Sequence, residues 1–170
     1  MSLSGGGEIT LASHSVLTRC NVTLNPLSVL RGENIALADG STLQGTGTIA
    51  GNLSNQASII LDTVPDALVV DGNLELTGSS VITATIGLGT GNTEAGRIDM
   101  RGNATLGGIL RLKLARNYTP AAGQEFTLAL LSTSSTGAFV QIDDSALGSA
   151  LKADLLVSNQ SLKIHLSARP

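Results

Sequence analysis

The sequence predicts an all-β fold: a right-handed parallel β-helix (a single-stranded β-solenoid) with an antiparallel β cap at its C-terminal end. Three observations point there. Short aliphatic or alternating runs recur along the whole chain, most of them three to six residues long, and Gly, Asn, Asp or Ser usually follows. Hydrophobic residues make up 42% but aromatic ones only 2%, with no Trp, so the core must be built from Leu, Ile, Val and Ala. A short Gly-Asn repeat returns at Gly51-Asn52-Leu53, Gly72-Asn73-Leu74 and Gly102-Asn103-Ala104, with starts 21 and then 30 residues apart.

From the N-terminus, the start Met1-Ser2-Leu3-Ser4-Gly5-Gly6-Gly7 is not a signal peptide, and residues 1–7 read as an expression-derived or disordered leader. Runs at 9–12, 22–24, 28–30, 35–38, 48–50, 58–61, 68–70 and 74–76 are each too short for a helix and read as strands. Leu74-Glu75-Leu76 alternates apolar and polar, as a half-buried strand does. A run at 81–86 precedes the most turn-like stretch of the chain, GLGTGNTEAG at 87–96, which is expected to protrude as a loop. Strands follow at 98–100 and 110–114; in Leu110-Arg111-Leu112-Lys113-Leu114 the leucines share one face and the bases the other. Residues 8–117 are thus assigned to the coils.

Composition shifts after about Asn117. Tyr118, Phe126 and Phe139 are the three aromatics, and Lys152 and Lys163 also lie beyond it. The stretch 119–124 reads as a turn, 126–131, 140–142, 155–157 and 162–166 as strands, and 144–152 as one short helical turn. A solenoid exposes unpaired strand edges at its end. Residues 118–170 are therefore expected to cover that end as an antiparallel cap continuous with the solenoid, plugged by Phe126 and Phe139.

A Gly-Asn pair tolerates left-handed backbone angles and makes a corner at little cost. Stacked Asn side chains are also expected to bond the backbone one coil away. Roughly twenty residues per coil suit three short strands and three turns.

Two stretches carry a family resemblance. Gly45-Thr46-Gly47-Thr48-Ile49-Ala50-Gly51-Asn52-Leu53-Ser54-Asn55 resembles the GTGTI-x-GN repeats of autotransporter passengers and related β-helical exoproteins. From about Ala67 to Leu166, LVVDGNLELTGSSVITATIG is followed by a Gly/Thr loop and then RIDMRGNATLGGILRLKLARNYTPAAGQEFTLALLSTSSTGAF. That order is similar to the terminal unit of large secreted proteins with autotransporter-associated β-strand repeats, with Gly137-Ala138-Phe139 where the pattern has GTF. The resemblance covers well over half the chain. It implies an extracellular stalk or passenger and brings no catalytic residues with it.

Net charge is −3 and the bases are scattered, which argues against nucleic acid or an anionic membrane as partner. No apolar run is long enough to span a bilayer, so no membrane insertion is expected of this segment. Cys20 is alone, which excludes an internal disulfide, and it reads as a buried structural thiol. Asp39, Asp62, Asp71 and Asp99 are the carboxylates to weigh for polysaccharide cleavage. Asp39 and Asp62 each close a run, ALAD and IILD, 23 residues apart. On adjacent coils they would lie about 5 Å apart, a distance that serves glycoside cleavage. Asp at a strand end more often accepts turn N–H bonds, and no cation cluster or aromatic platform accompanies them. His14 and His165, the two histidines, lie at opposite ends of the sequence and do not suggest a transition-metal site. The pairs Thr46/Thr48 and Thr83/Thr85 are too few for a flat ice-binding face.

No catalytic, cofactor-binding or metal-binding residue is assigned, and no cofactor is expected. The expected function is that of a non-catalytic structural or adhesive segment of a secreted or cell-surface β-helical protein of a bacterium. Host or matrix surface glycans or proteins are the expected partners. Two alternatives stand beside it: a polymer-forming, bactofilin-like cytoskeletal β-helix, and a carbohydrate-binding or polysaccharide-cleaving β-helix.

Overall fold

Period-two alternation gives each short run one inward and one outward face, and the chain arranges these runs as two sheets. The computed structural model describes residues 1–3, 6–132 and 135–170. The first, eight-stranded sheet holds β1 (Ser2–Leu3), β4 (Asn21–Leu24), β6 (Thr42–Gly45), β8 (Ser58–Leu61), β11 (Val81–Leu88), β12 (Glu94–Ala95), β15 (Ile109–Leu114) and β18 (Gln141–Asp143). The second, twelve-stranded sheet takes β2 (Glu8–Thr10), β3 (His14–Leu17), β5 (Val29–Leu37), β7 (Thr48–Asn55), β9 (Leu68–Val70) and β10 (Leu74–Leu76). It continues with β13 (Ile98–Met100), β14 (Ala104–Leu106), β16 (Glu125–Leu131), β17 (Ser135–Gly137), β19 (Leu151–Val157) and β20 (Ser161–Ala168). The chain passes from one sheet to the other and back, so strands that follow one another in sequence are seldom partners.

Partners come instead from the next passage. In the first sheet Asn21 pairs with Thr42, Thr42 with Ser58, Ser58 with Val81, Val81 with Ile109 and Ile109 with Gln141, all in parallel. One residue further along each strand, Val22, Leu43, Ile59, Ile82 and Leu110 form an inward column, every member buried. The second sheet has its own column of Leu30, Ile49, Val70, Met100 and Leu131, also buried. Like stacks on like because parallel strands set equivalent side chains about 4.8 Å apart. Each buried methylene contributes roughly 0.8 kcal/mol before chain entropy is counted. One inward column is interrupted by a polar residue: Asn55 lies between Leu37 and Leu76, fully buried. Its amide donates to the Ala57 carbonyl and accepts from the Ala57 N–H, both at 3.1 Å, so no polar atom of it is stranded.

The architecture corrects the expected one. The chain is all-β and solenoid-like in part, but it is not a single right-handed parallel β-helix closed by an antiparallel cap. Both sheets mix directions. β12 turns back antiparallel on β11, Ile86 opposite Ala95 and Leu88 opposite Glu94. β20 runs antiparallel between β16 and β19, within the same sheet as the parallel strands. Strands expected to belong to the cap also extend the parallel pairing: β16 lies beside β13, β17 beside β14 and β18 beside β15. The reversals have local causes. The stretch 87–96, expected as a loop, is part of a hairpin, and Gly89, Gly91 and Asn92 at its turn have φ of 73°, 82° and 58°. At the second reversal Ser158 N–H donates to the Ser161 carbonyl at 2.9 Å, closing the turn between β19 and β20.

Two of the aromatic residues, Tyr118 and Phe126, pack together in the core. Phe126 is 1% exposed and meets the Tyr118 ring edge-on at 6.0 Å between centroids. The Tyr118 hydroxyl donates to Gln124 Oε1, which also accepts the Ala121 N–H at 2.7 Å, and this holds the expected 119–124 turn. Tyr118 also covers Gly87, where a Cβ would run into the ring. Phe139 packs half-buried against the core. The expected helical turn within 144–152 is a 3-10 turn, Ser145–Leu147. Among the described residues no helix is long and apolar enough to cross a membrane.

Candidate functional site

The Gly-Asn pairs sit where the second sheet bends. β7 runs through the bend unbroken, whereas Gly72-Asn73 separates β9 from β10 and Gly102-Asn103 separates β13 from β14. The glycines stack. A Cβ on Gly51 would strike the Gly32 carbonyl oxygen, one on Gly72 the Gly51 carbonyl, and one on Gly102 the Gly72 carbonyl. Close approach of backbone to backbone is therefore what demands glycine here. Left-handed angles, the expected reason, apply only at Gly51, with φ 148°. Gly72, Gly102 and the three asparagines do not use them.

The asparagines form a ladder across the bend. Asn52 Nδ2 donates to Asn34 Oδ1 at 3.0 Å. Asn52 Oδ1 accepts the Asn73 N–H at 2.9 Å, and Asn73 Oδ1 accepts the Asn103 N–H at 2.9 Å. The expected side-chain-to-backbone stacking is thus present. A backbone N–H at a bend has no strand partner in line, and the amide oxygen of the preceding passage supplies the acceptor it needs. At the far end Asn34 Nδ2 lies 3.3 Å from His14 Nε2.

Beside the ladder runs a second outward row. Val16 pairs with Ala36, Ala36 with Ser54, Ser54 with Glu75 and Glu75 with Thr105. Ladder and row together line a groove of about 550 Å³ that crosses five strands, from His14 to Asn103. Its lining is largely neutral: amides, hydroxyls and small apolar groups, with Glu75 the carboxylate and His14 the imidazole. Ser54 Oγ donates to Glu75 Oε2 at 2.9 Å and fixes that carboxylate along the groove. Asn73 and Asn103 are solvent-exposed, so a bound molecule can reach their amides. The chemistry on offer is hydrogen bonding at a regular interval.

The residues weighed from sequence do not converge. Asp39 follows β5 in one sheet and Asp62 follows β8 in the other, so the two are not a pair on adjacent passages. Asp71 lies 3.4 Å from Arg101, and Asp99 is held by both Arg97 Nε at 2.8 Å and Nη2 at 3.1 Å. Among the described residues no three His, Cys, Asp or Glu side chains gather in a way that would hold a metal. Cys20 is half-buried against the core with its thiol 3.7 Å from Ser41 Oγ. Thr85 is buried, so Thr83/Thr85 is not an exposed pair. His14 lies in the groove, while His165 lies on β20, 3.6 Å from Glu125.

Three shifted carboxyls lie outside the groove. The Arg31 guanidinium holds Glu8 below the ordinary carboxylate value. Bonds from the Ser145 hydroxyl and from Arg111 do the same for Asp143, and bonds from Ser167 and Lys152 for Asp154.

Sequence reasoning found Asn52, Asn73 and Asn103 but missed Asn34 and His14. The signal for Asn34 was Gly32-Glu33-Asn34, the same pair with one residue inserted. β5 carries a register shift between Arg31 and Asn34 that absorbs the extra residue. His14 had no signal of its own; it is placed by pairing with Asn34. No protein-family model matches the chain, and no curated protein matches it.

Proposed function

We propose that this chain is a non-catalytic structural or adhesive segment of a secreted or cell-surface bacterial protein. The ladder carries the proposal. Asn34, Asn52, Asn73 and Asn103 occupy the same place on successive passages, each tied to the next. Such an arrangement repeats one surface along the sheet instead of converging on a point. It favours rigidity, because a one-residue slip in β7 would break the glycine stack, the ladder and the inward columns together. A stiff strand array with an open polar face suits projection and display. Cross-strand pairing of Glu8 with Arg31 neutralises outer charge on the groove's own sheet. Such a face favours host or matrix glycans and proteins as partners over nucleic acid.

Antibody labelling and protease shaving of intact source cells test the proposal. Labelling and cleavage from outside are the expected results. Full protection in intact cells, with labelling only after lysis, would sink the proposal.

A further inference from the structure

We propose that the groove over the asparagine ladder binds a linear, neutral, equatorially linked glycan lying across the strands, about one hexose per strand. This rests on the adhesive role proposed above and gives it a ligand class. The spacing comes first. Ladder amides recur at the strand interval of about 4.8 Å, so amides on alternate strands, about 9.6 Å apart, stay in step with an equatorially linked pyranose chain, whose same-face groups recur at every second ring. An extended peptide repeats its same-face groups about every 6.8 Å and falls out of step within two strands. The lining chemistry comes second. Asn73 and Asn103 present amides, Ser54 and Thr105 hydroxyls, and Glu75 a carboxylate already oriented by Ser54. These groups complement sugar hydroxyls, which both donate and accept. Charge comes third. Among the described residues no Lys or Arg lines the groove, whereas Glu75 does. A uronate chain would therefore set its carboxylates beside Glu75 without a cation. At the far end, the His14 ring and the exposed Val16 supply the flatter, less polar contact that the face of a sugar ring prefers.

The test is isotope-edited NMR titration of the whole chain with cellohexaose, and with hexagalacturonate as the charged comparator. The expected result is saturable shifts at Asn73, Asn103 and Ser54 with cellohexaose, and at least tenfold weaker binding of hexagalacturonate. Two blocking variants, Ala36→Trp and Thr105→Arg, fill the groove from opposite ends without touching the ladder. Each is expected to weaken cellohexaose at least tenfold while keeping the parent's far-ultraviolet dichroism. Using two guards against misfolding of one. Absence of shifts in the parent, equal binding of the uronate, or undiminished binding by both folded variants would overturn the proposal. Cell-surface labelling is read separately, so failure of glycan binding on cells that label leaves the display role standing and removes only the groove's assignment.

Discussion

The ladder strands, β5 to β14, and the C-terminal strands β16, β19 and β20 build the same sheet by different means. In the first region register is set by identity: glycine over glycine and asparagine over asparagine. In the second no residue type repeats from strand to strand. There β20 runs antiparallel to both neighbours, with a register irregularity between Thr127 and Ala129. What holds it is alternation, a serine turn and cross-strand bonds such as that from the Ser167 hydroxyl to Asp154 Oδ2 at 2.6 Å. Steric identity tolerates almost no substitution, whereas alternation tolerates most. The two regions should therefore respond very differently to small changes.

The largest effect is expected at the glycine stack. Gly72→Val places a branched side chain against the Gly51 carbonyl carbon, 2.6 Å from where its Cβ would stand, and against the Asn52 nitrogen at 2.9 Å. Backbone cannot swing aside as a side chain does, so a loss of about 3 kcal/mol or more is expected, or failure to fold. Gly78 is the control. It has open space around it and no left-handed angle, so Gly78→Ala should be neutral or stabilising by about 0.5 kcal/mol. Urea denaturation of both variants checks the contrast; equal losses would mean that glycine content, not stacking, governs the region.

Next comes the ladder itself. Asn52→Ala removes a donor from Asn34 and the acceptor of the Asn73 N–H. With net worth near 1 kcal/mol per bond, and an N–H left without its protein acceptor, a loss of about 2 kcal/mol is expected. Ser158→Ala, in the C-terminal turn, removes the acceptor of the Gln160 and Ser161 N–H groups, but this turn is exposed, water replaces the hydroxyl and the backbone bond from Ser158 to Ser161 remains, so the cost should be only about 0.5–1 kcal/mol. A shift in thermal midpoint for Asn52→Ala no larger than that for Ser158→Ala would remove the ladder's structural priority.

This difference also marks what was legible in the sequence. Most strand positions were readable, since alternation reports burial directly, but β1, β3, β6, β12, β14 and β17 matched none of the expected runs. The ladder was readable where Gly and Asn adjoin and was hidden at Asn34, where Glu33 intervenes. Strand direction was not readable. Leu162-Lys163-Ile164-His165-Leu166 buries its aliphatic residues equally well beside a parallel or an antiparallel neighbour, and only the turn at 158–161 decides. The groove lay beyond reach for a related reason: it is made by residues from five strands, and the Val16–Ala36–Ser54–Glu75–Thr105 row shares no residue type that would announce it.

Acid should separate the regions in turn. Asp143 and Asp154, both in the C-terminal part, have folded-state pKa values below ordinary carboxyls. A depressed carboxyl contributes stability that is fully present above its unfolded value, near 3.9, and is lost as pH falls through the folded value. Amide exchange measured from neutral pH down to about pH 3 should therefore show β18 to β20, together with the β2–β5 edge joined by Glu8 and Arg31, losing protection before β7, β10 and β14. Asp154→Asn should reduce this acid sensitivity, because the group that must be protonated is gone. Loss of protection in all strands at one pH would show the two regions to be a single cooperative unit.

The smallest effect is expected where the C-terminal region relies on charge. Lys163 Nζ lies 3.7 Å from Glu125 Oε2, and both side chains are nearly half exposed, at 43% and 47%. At that exposure water screens most of the attraction, and holding two long side chains in place offsets much of the rest. A double-mutant cycle of Lys163→Ala and Glu125→Gln should return a coupling of about 0.5 kcal/mol or less, fading as salt is added. Glu125 also faces His165 at 3.6 Å. The coupling should therefore be read again in a His165→Ala background, which removes the second partner of the same carboxylate. A coupling above about 1 kcal/mol that survives salt would mean that charge specifies register here as firmly as the asparagines do across the bend.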